Sequence, residues 1–168
     1  MEMNQKALLE AIHDMDDFIG MKHATCPPVF LLGGSGCILG GYLKRATTDF
    51  DIMDMDYPAH VGRYFRLLGE LDVLDWALTP LATGFENRSH RMAGFLNIEV
   101  CILSREDIIV SKIGRFSEKD REDIRLMMPS AERDLILELI RNVLARDDLS
   151  SIVQARFAIN VASWLEEA

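Results

Sequence analysis

The 168-residue sequence contains few cysteines, and they form no metal-binding or disulfide pattern. Cys26, Cys37 and Cys101 are odd in number, and no two have the C-x-x-C spacing. A scattered, odd set argues against a disulfide-stapled secreted fold, so we expect reduced thiols in a cytoplasmic protein. Cys37 and Cys101 lie in apolar runs, which predicts small core residues rather than nucleophiles.

Long apolar runs are also missing. No segment reaches the roughly 18 to 20 consecutive apolar residues of a transmembrane helix. The polar, acidic residues 1–10 show no signal peptide pattern. We therefore expect no membrane partner.

Positive charge is scarce, with 18 Lys and Arg against 27 Asp and Glu and a net charge of −9. Proteins that coat nucleic acid do so through a broad basic surface. The charge balance therefore argues against a broad DNA-binding surface. It leaves room for a local basic pocket around a nucleotide.

The periodicity of apolar residues predicts an α/β (α+β) fold with a helical C-terminal third. Helices are expected over 4–22, 58–70, 131–146 and 151–166 and after Ser104 and Ser117, and strands over 29–32, 49–54 and 95–103. Ser104, Ser117 and Ser151 each have capping-box spacing to an acidic or amide residue three positions later. No Pro/Gly/Ser-rich linker interrupts the chain. We therefore predict a single domain over 1–168, with a core of about 28–128 and C-terminal helices over about 129–168.

Two aspartates carry the clearest chemical signal. Alternate strand residues point to the same face, so Asp49 and Asp51 project together while Phe50 faces the core. Their Cα atoms should lie about 6.5–7 Å apart, close enough for both carboxylates to share a hard cation such as Mg²⁺. The alternative is a solvated, acidic strand end.

A glycine-rich turn precedes this pair. Gly33, Gly34 and Gly36 surround Ser35, which stands where the N-cap of a following helix is expected. Such turns expose backbone N–H groups that can hold phosphate oxygens. The P-loop pattern fails because Tyr42 replaces its lysine, and the dinucleotide pattern fails because Leu39 replaces its third glycine.

These residues resemble a known signature. Gly34-Ser35 followed by Asp49-Phe50-Asp51 is similar to the DNA polymerase β-type nucleotidyltransferase superfamily. The sequence segment around Arg45 and the later segment over residues 105–124 resemble the small bacterial toxin–antitoxin and abortive-infection members of this superfamily. The resemblance covers about residues 30–128.

The resemblance implies a nucleotidyltransferase-type mixed, twisted sheet flanked by helices. It also implies Mg²⁺-dependent transfer of a nucleoside monophosphate from a nucleoside triphosphate such as ATP, with one or two metal ions. By this resemblance Asp49 and Asp51 would hold metal and Ser35 would contact the triphosphate. Gly34 and Arg45 are further candidate phosphate contacts, and the alternative for Arg45 is that it only balances the nearby acidic residues. The acceptor could be RNA, a protein or a small molecule, and a cognate toxin or antitoxin is a possible partner.

Family members usually need a third carboxylate on a later strand, and Glu99 is the candidate metal ligand or base. Lys112 would approach phosphate or substrate, positioned by Asp120 or Asp123. The alternatives are an exposed strand residue for Glu99, a solvated helix residue for Lys112 and a helix cap for Asp120. Two hypotheses follow: a nucleotidyltransferase, or a member of the fold that has lost catalysis and acts as a binding or regulatory protein.

Overall fold

The computed structural model describes all residues from Met1 to Ala168 and resolves them into two compact units. The first unit comprises residues 1–74 and 89–103, and the second comprises residues 75–88 and 104–168. All five strands belong to the first unit, and the second is helical. The single domain expected over 1–168 stays a prediction.

The first unit is built on a mixed five-stranded sheet. Its strands are β1 (Val29–Leu32), β2 (Phe50–Met53), β3 (Leu71–Leu74), β4 (His90–Arg91) and β5 (Val100–Ile102). They lie in the order β3-β2-β1-β5-β4. β1 is antiparallel to β2 and parallel to β5, β2 is parallel to β3, and β4 is antiparallel to β5. This mixed sheet with its helices confirms the predicted α/β class and is consistent with a nucleotidyltransferase-type fold.

Three helices accompany the sheet: α1 (Gln5–Met21), α2 (Gly33–Leu39) and α3 (Ala59–Phe65). The side chain of Asn4 caps α1 by accepting a hydrogen bond from the Ala7 N–H. The apolar residues of α1 recur every three or four positions and are buried: Leu8, Ile12, Met15 and Ile19. They join a core that contains β1 and the inward residues of β2, which anchors the strands that carry the aspartates.

The second unit contains α4 (Phe85–Arg88), α5 (Arg105–Arg115), α6 (Glu118–Met127), α7 (Arg133–Leu144) and α8 (Ser151–Glu167). The predicted caps of two helices are confirmed. Ser104 accepts a hydrogen bond from the Asp107 N–H, and Ser117 forms a full capping box with Asp120. None of the helices in the chain combines the length and apolarity needed to cross a membrane.

Two local predictions are wrong. The strand expected over 95–103 is only Val100–Ile102. The Ser151 capping box is absent, because Ser150 is the N-cap of α8 and makes no side-chain cap bond. The Gln154 amide instead donates to the backbone carbonyls of Leu144 and Arg146. Its hydrogen bonds therefore hold the end of α7 rather than the start of α8.

Candidate metal and nucleotide site

Three aspartates meet at one edge of the sheet. Asp51 on β2 pairs directly with Asp72 on the parallel strand β3, so their side chains share a face. Asp49 lies two residues before Asp51 and points the same way. One carboxylate oxygen from each lies within 4.8 Å of the others. Asp49 and Asp51 are half-buried, and Asp72 is exposed.

The donor set fits a hard divalent cation. Carboxylate oxygens are the ligands that Mg²⁺ and Ca²⁺ prefer in proteins, and Mg²⁺ sites commonly use few carboxylates and keep several waters. Three carboxylates this close repel one another unless positive charge lies among them. The arrangement therefore suits a cation open to solvent on one side.

Gly33 lies directly against the Asp51 carboxylate. Its backbone has φ +60°, a conformation that favours glycine. A methyl group added there would place its carbon 1.8 Å from Asp51 Oδ2. Both the backbone angle and the contact therefore require glycine at this position.

Ser35 links the glycine turn to β2. Its buried hydroxyl accepts a hydrogen bond from the Asp51 N–H at 3.2 Å and donates to the Leu32 carbonyl at 3.2 Å. The prediction that Ser35 is an N-cap is wrong, because α2 already begins at Gly33 and Leu32 is its N-cap. Ser35 thus fixes the backbone of Asp51, while its contact with a triphosphate stays a prediction.

Arg45 brings positive charge beside the turn. A carbon added at Gly34 would lie 3.3 Å from Arg45 Nη2 and 2.7 Å from Thr47 Oγ1. Arg45 Nη1 donates to the Ala46 carbonyl at 2.8 Å, which holds the side chain close to its own backbone. The Thr47 hydroxyl lies 3.4 Å from Asp49 Oδ1. The Arg45 guanidinium therefore lies beside the glycine turn, and the Thr47 hydroxyl lies close both to that turn and to the Asp49 carboxylate.

Glu99 lies at the other end of the sheet. Asp51 is level with Leu32 at the end of β1, whereas the Glu99 carbonyl accepts a hydrogen bond from Val29 N–H at its start. The pairing sets Glu99 level with residue 28, four positions from Leu32, which is roughly 13 Å along a strand. The Glu99 carboxylate instead faces Arg91 at 3.9 Å.

The structure therefore brings Asp72, and not Glu99, to Asp49 and Asp51. No role is predicted for Asp72 from the sequence, because no strand is assigned there to the residues around it. The signal was present in Leu71-Asp72-Val73, an acidic residue between apolar neighbours in a short strand. The sequence does not state which strand lies beside β2, and that neighbour decides which carboxylate completes the cluster.

Lys112 belongs to the second unit, where it is buried in an ionic cluster. Its Nζ lies 2.8 Å from Asp123 Oδ2 and 3.3 Å from Asp120 Oδ1, and both carboxylates are also buried. Burial would raise the pKa of Asp120, but hydrogen bonds from Arg115 and Ser117 and the nearby positive charges outweigh it and hold that pKa well below its usual range. The contact between Lys112 and a phosphate stays a prediction.

The three cysteines are free thiols, and Cys37 and Cys101 are buried as predicted. Burial raises the pKa of Cys26 to about 11. A thiol with that pKa is almost fully protonated near neutral pH and is a poor nucleophile. The Cys26 thiol is therefore no candidate nucleophile.

Comparison with known proteins gives one family. No curated protein and no solved structure matches the chain significantly. A family described as "Nucleotidyltransferase of unknown function (DUF6036)" matches residues 6–164, a range that includes Asp49, Asp51 and Asp72. Because the match spans nearly the whole chain, the protein belongs to this nucleotidyltransferase family of unknown function.

Proposed function

We propose that the protein is a Mg²⁺-dependent nucleotidyltransferase that moves a nucleoside monophosphate from a nucleoside triphosphate to an acceptor hydroxyl. The observation that carries the proposal is the convergence of Asp49, Asp51 and Asp72 beside the glycine turn. The family match supports the reaction class.

Asp49, Asp51 and Asp72 are the residues that would hold the metal. When bound, Mg²⁺ supplies positive charge that stabilises the phosphate oxygens during an in-line displacement. Two residues of the glycine turn support this role. Gly33 leaves room for the Asp51 carboxylate, and Ser35 fixes the Asp51 backbone. The protein thus orients its metal ligands before any substrate arrives.

The glycine turn and Arg45 are the proposed triphosphate contacts. The backbone N–H groups at the start of α2 have no carbonyl partner within the helix, so they can donate to phosphate oxygens. The Arg45 guanidinium beside Gly34 adds a charge that matches phosphate in geometry and sign. Ser35 could add its hydroxyl only by giving up one of its present hydrogen bonds.

The proposed reaction forms one bond and breaks another at the α-phosphorus. The acceptor oxygen bonds to that phosphorus, the bond to the bridging oxygen of the β-phosphate breaks, and pyrophosphate leaves. The acceptor hydroxyl must also lose a proton. Asp72 is the exposed member of the cluster and is the proposed proton acceptor.

The proposed acceptor is RNA, a protein or a small molecule, and the proposed biological setting is a toxin–antitoxin or phage-defence system. Lys112 is a further proposed phosphate or substrate contact. To make that contact it would have to break its ion pairs with Asp120 and Asp123. Glu99 is not retained as a metal ligand, because the strand pairing sets it at the opposite end of β1.

The test is label transfer. The protein is incubated with each α-labelled nucleoside triphosphate and Mg²⁺, together with total RNA and lysate protein. We expect Mg²⁺-dependent labelling that falls by about 100-fold or more in Asp49→Asn with Asp51→Asn. Asp54→Asn is the matched control, because Asp54 lies in the same acidic stretch but outside the cluster.

Three results would contradict this proposal. Labelling that survives the double substitution would show that the cluster is not the active site. Metal-dependent triphosphate binding without transfer to any acceptor would favour the second hypothesis, a fold member that binds nucleotide and regulates a partner. Failure of the protein to bind either metal or triphosphate would remove the site altogether.

A further inference from the structure

Helix α8 is apolar on two opposite faces. Phe157, Val161 and Trp164 are buried in the second unit. The outward face carries six exposed apolar residues: Ile152, Ala155, Ala158, Ile159, Ala162 and Leu165. Ile152 is 73% exposed and Ile159 68% exposed. Contiguous exposed apolar side chains mark interaction surfaces, so the outward face is expected to be covered by a partner.

The outward residues form a continuous contact strip. With 3.6 residues per turn they occupy an arc of about 140° around the helix. Ala155 and Ala162 lie near its centre, with Ile152 and Ile159 on one side and Leu165 on the other. Small side chains at the centre let a second helix approach closely, and the larger ones beside them would close the contact.

The charges of α8 run against its own dipole. The helix has no acidic residue in its first turn, no basic residue in its last turn, and no side-chain cap bond at Ser150. Glu166 lies instead at the C-terminal end, next to the partial negative charge of the helix. A second helix with the same distribution, running antiparallel, would place each Glu166 beside the other N-terminus.

We propose that α8 is a homodimer interface in which two copies of the chain pack their outward faces antiparallel. A two-fold contact must be self-complementary, and the outward strip of α8 meets this requirement in the antiparallel arrangement. With the axis level with Ala158 and Ile159, Ala155 of one copy lies opposite Ala162 of the other. Ile152 is then level with Leu165, and Ser151 with Glu166, so that hydroxyl can donate to the carboxylate.

The first test is oligomeric state. Sedimentation equilibrium of the full chain over a concentration series should show a particle of twice the 19.0 kDa chain mass that dissociates on dilution. Ile152→Asp with Ile159→Asp should give a folded monomer by circular dichroism. Leu126→Asp is the control, because Leu126 is a 61% exposed leucine on α6 and should leave the dimer intact.

The second test is register, and it does not depend on disrupting the interface. A short bis-maleimide should cross-link a mixture of Ser151→Cys and Glu166→Cys chains above the level of wild type, which carries the three native cysteines. Neither variant alone should cross-link above that level. Self-cross-linking of Ser151→Cys would overturn the antiparallel arrangement. Wild type that stays at the chain mass at every concentration, or a dimer that persists in the double aspartate variant, would overturn the interface.

Discussion

Gly33 lies directly against the carboxylate of Asp51, so its lack of a side chain can be tested. Gly33→Ala must adopt φ +60° and displace an oxygen that lies 1.8 Å from the new carbon. We expect a loss of stability above the 1–2 kcal/mol typical of the backbone strain alone, and roughly tenfold weaker Mn²⁺ binding. Urea unfolding and calorimetric titration measure the two effects.

Gly41→Ala is the matched control for this prediction. Gly41 also has a positive φ, +72°, but no atom lies within 4 Å of an added carbon. The free energy of unfolding of Gly41→Ala should fall by about 1–2 kcal/mol through backbone strain, and the variant should bind Mn²⁺ as wild type does. Equal metal binding by the two variants would show that Gly33 does not shape the Asp51 position.

Asp72 and Glu99 compete for the role of third carboxylate, and two isosteric substitutions separate them. Asp72→Asn should lower Mg²⁺-dependent label transfer by about 100-fold, because it removes a charge within 4.8 Å of Asp49 and Asp51. Glu99→Gln should leave transfer within a factor of about two, because strand pairing sets it roughly 13 Å along the sheet. The reverse order of effects would restore Glu99 to the site.

The contrast between these residues shows what the sequence could predict. Asp49 and Asp51 are two positions apart, so strand periodicity alone places them on one face. Asp72 reaches them only because β3 pairs with β2 in a register that aligns it with Asp51. Such non-local pairing leaves little trace in a single sequence, which is why strand patterning alone points to Glu99 and not to Asp72.

At the scale of elements, the Lys112 cluster joins α5 to α6. Asp120 is buried, caps α6 through Ser117 and pairs with Lys112 and Arg115. Asn at position 120 loses the charge-assisted hydrogen bonds to Arg115, Ser117 and Lys112, while Lys112 keeps its pair with Asp123. Asp120→Asn should therefore lower the free energy of unfolding by about 2 kcal/mol at pH 7. Urea unfolding followed by tryptophan fluorescence measures it.

The same substitution predicts a pH dependence. Because folding lowers the pKa of Asp120, its stabilisation is complete above the unfolded pKa of about 3.9 and is lost as pH falls toward the lower folded value. The difference in the free energy of unfolding between wild type and Asp120→Asn should therefore become smaller below about pH 4. Glu118→Gln, an exposed change in the same helical turn, should show no such trend. A constant difference from pH 7 to pH 3 would contradict the ionic account.

Helices were easier to predict than strands for a physical reason. The caps at Ser104 and Ser117 depend on residues three positions apart, so local sequence predicts them, although the same spacing at Ser151 gives no cap. The length of β5 depends on how far β1 and β4 run beside it, and pairing ends at Val100. Apolar alternation over 95–103 therefore indicated where a strand would form but not where it would begin.

For the whole molecule, the aromatic residues report on the two units separately. Tyr42, Tyr57 and Tyr64 all lie in the first unit, whereas Trp76 and Trp164 both lie in the second. The tyrosine bands of the second-derivative absorbance spectrum, which separate from the overlapping tryptophan absorbance, thus follow the unit that contains the aspartate cluster. Tryptophan fluorescence excited at its red edge follows the helical unit. No label needs to be introduced.

Metal binding should stabilise the first unit by mass action, because only the folded sheet brings the three aspartates together. At a metal concentration about 100 times the Kd, the free energy of unfolding followed by tyrosine absorbance should rise by about 2.7 kcal/mol. Asp51→Asn should abolish this rise, and in the absence of metal it should be more stable than wild type, because it relieves the repulsion among Asp49, Asp51 and Asp72. The tryptophan transition will move with the tyrosine transition only if both units unfold together. A metal-induced shift confined to the tryptophan signal would place the binding site in the second unit and contradict the assignment to the sheet.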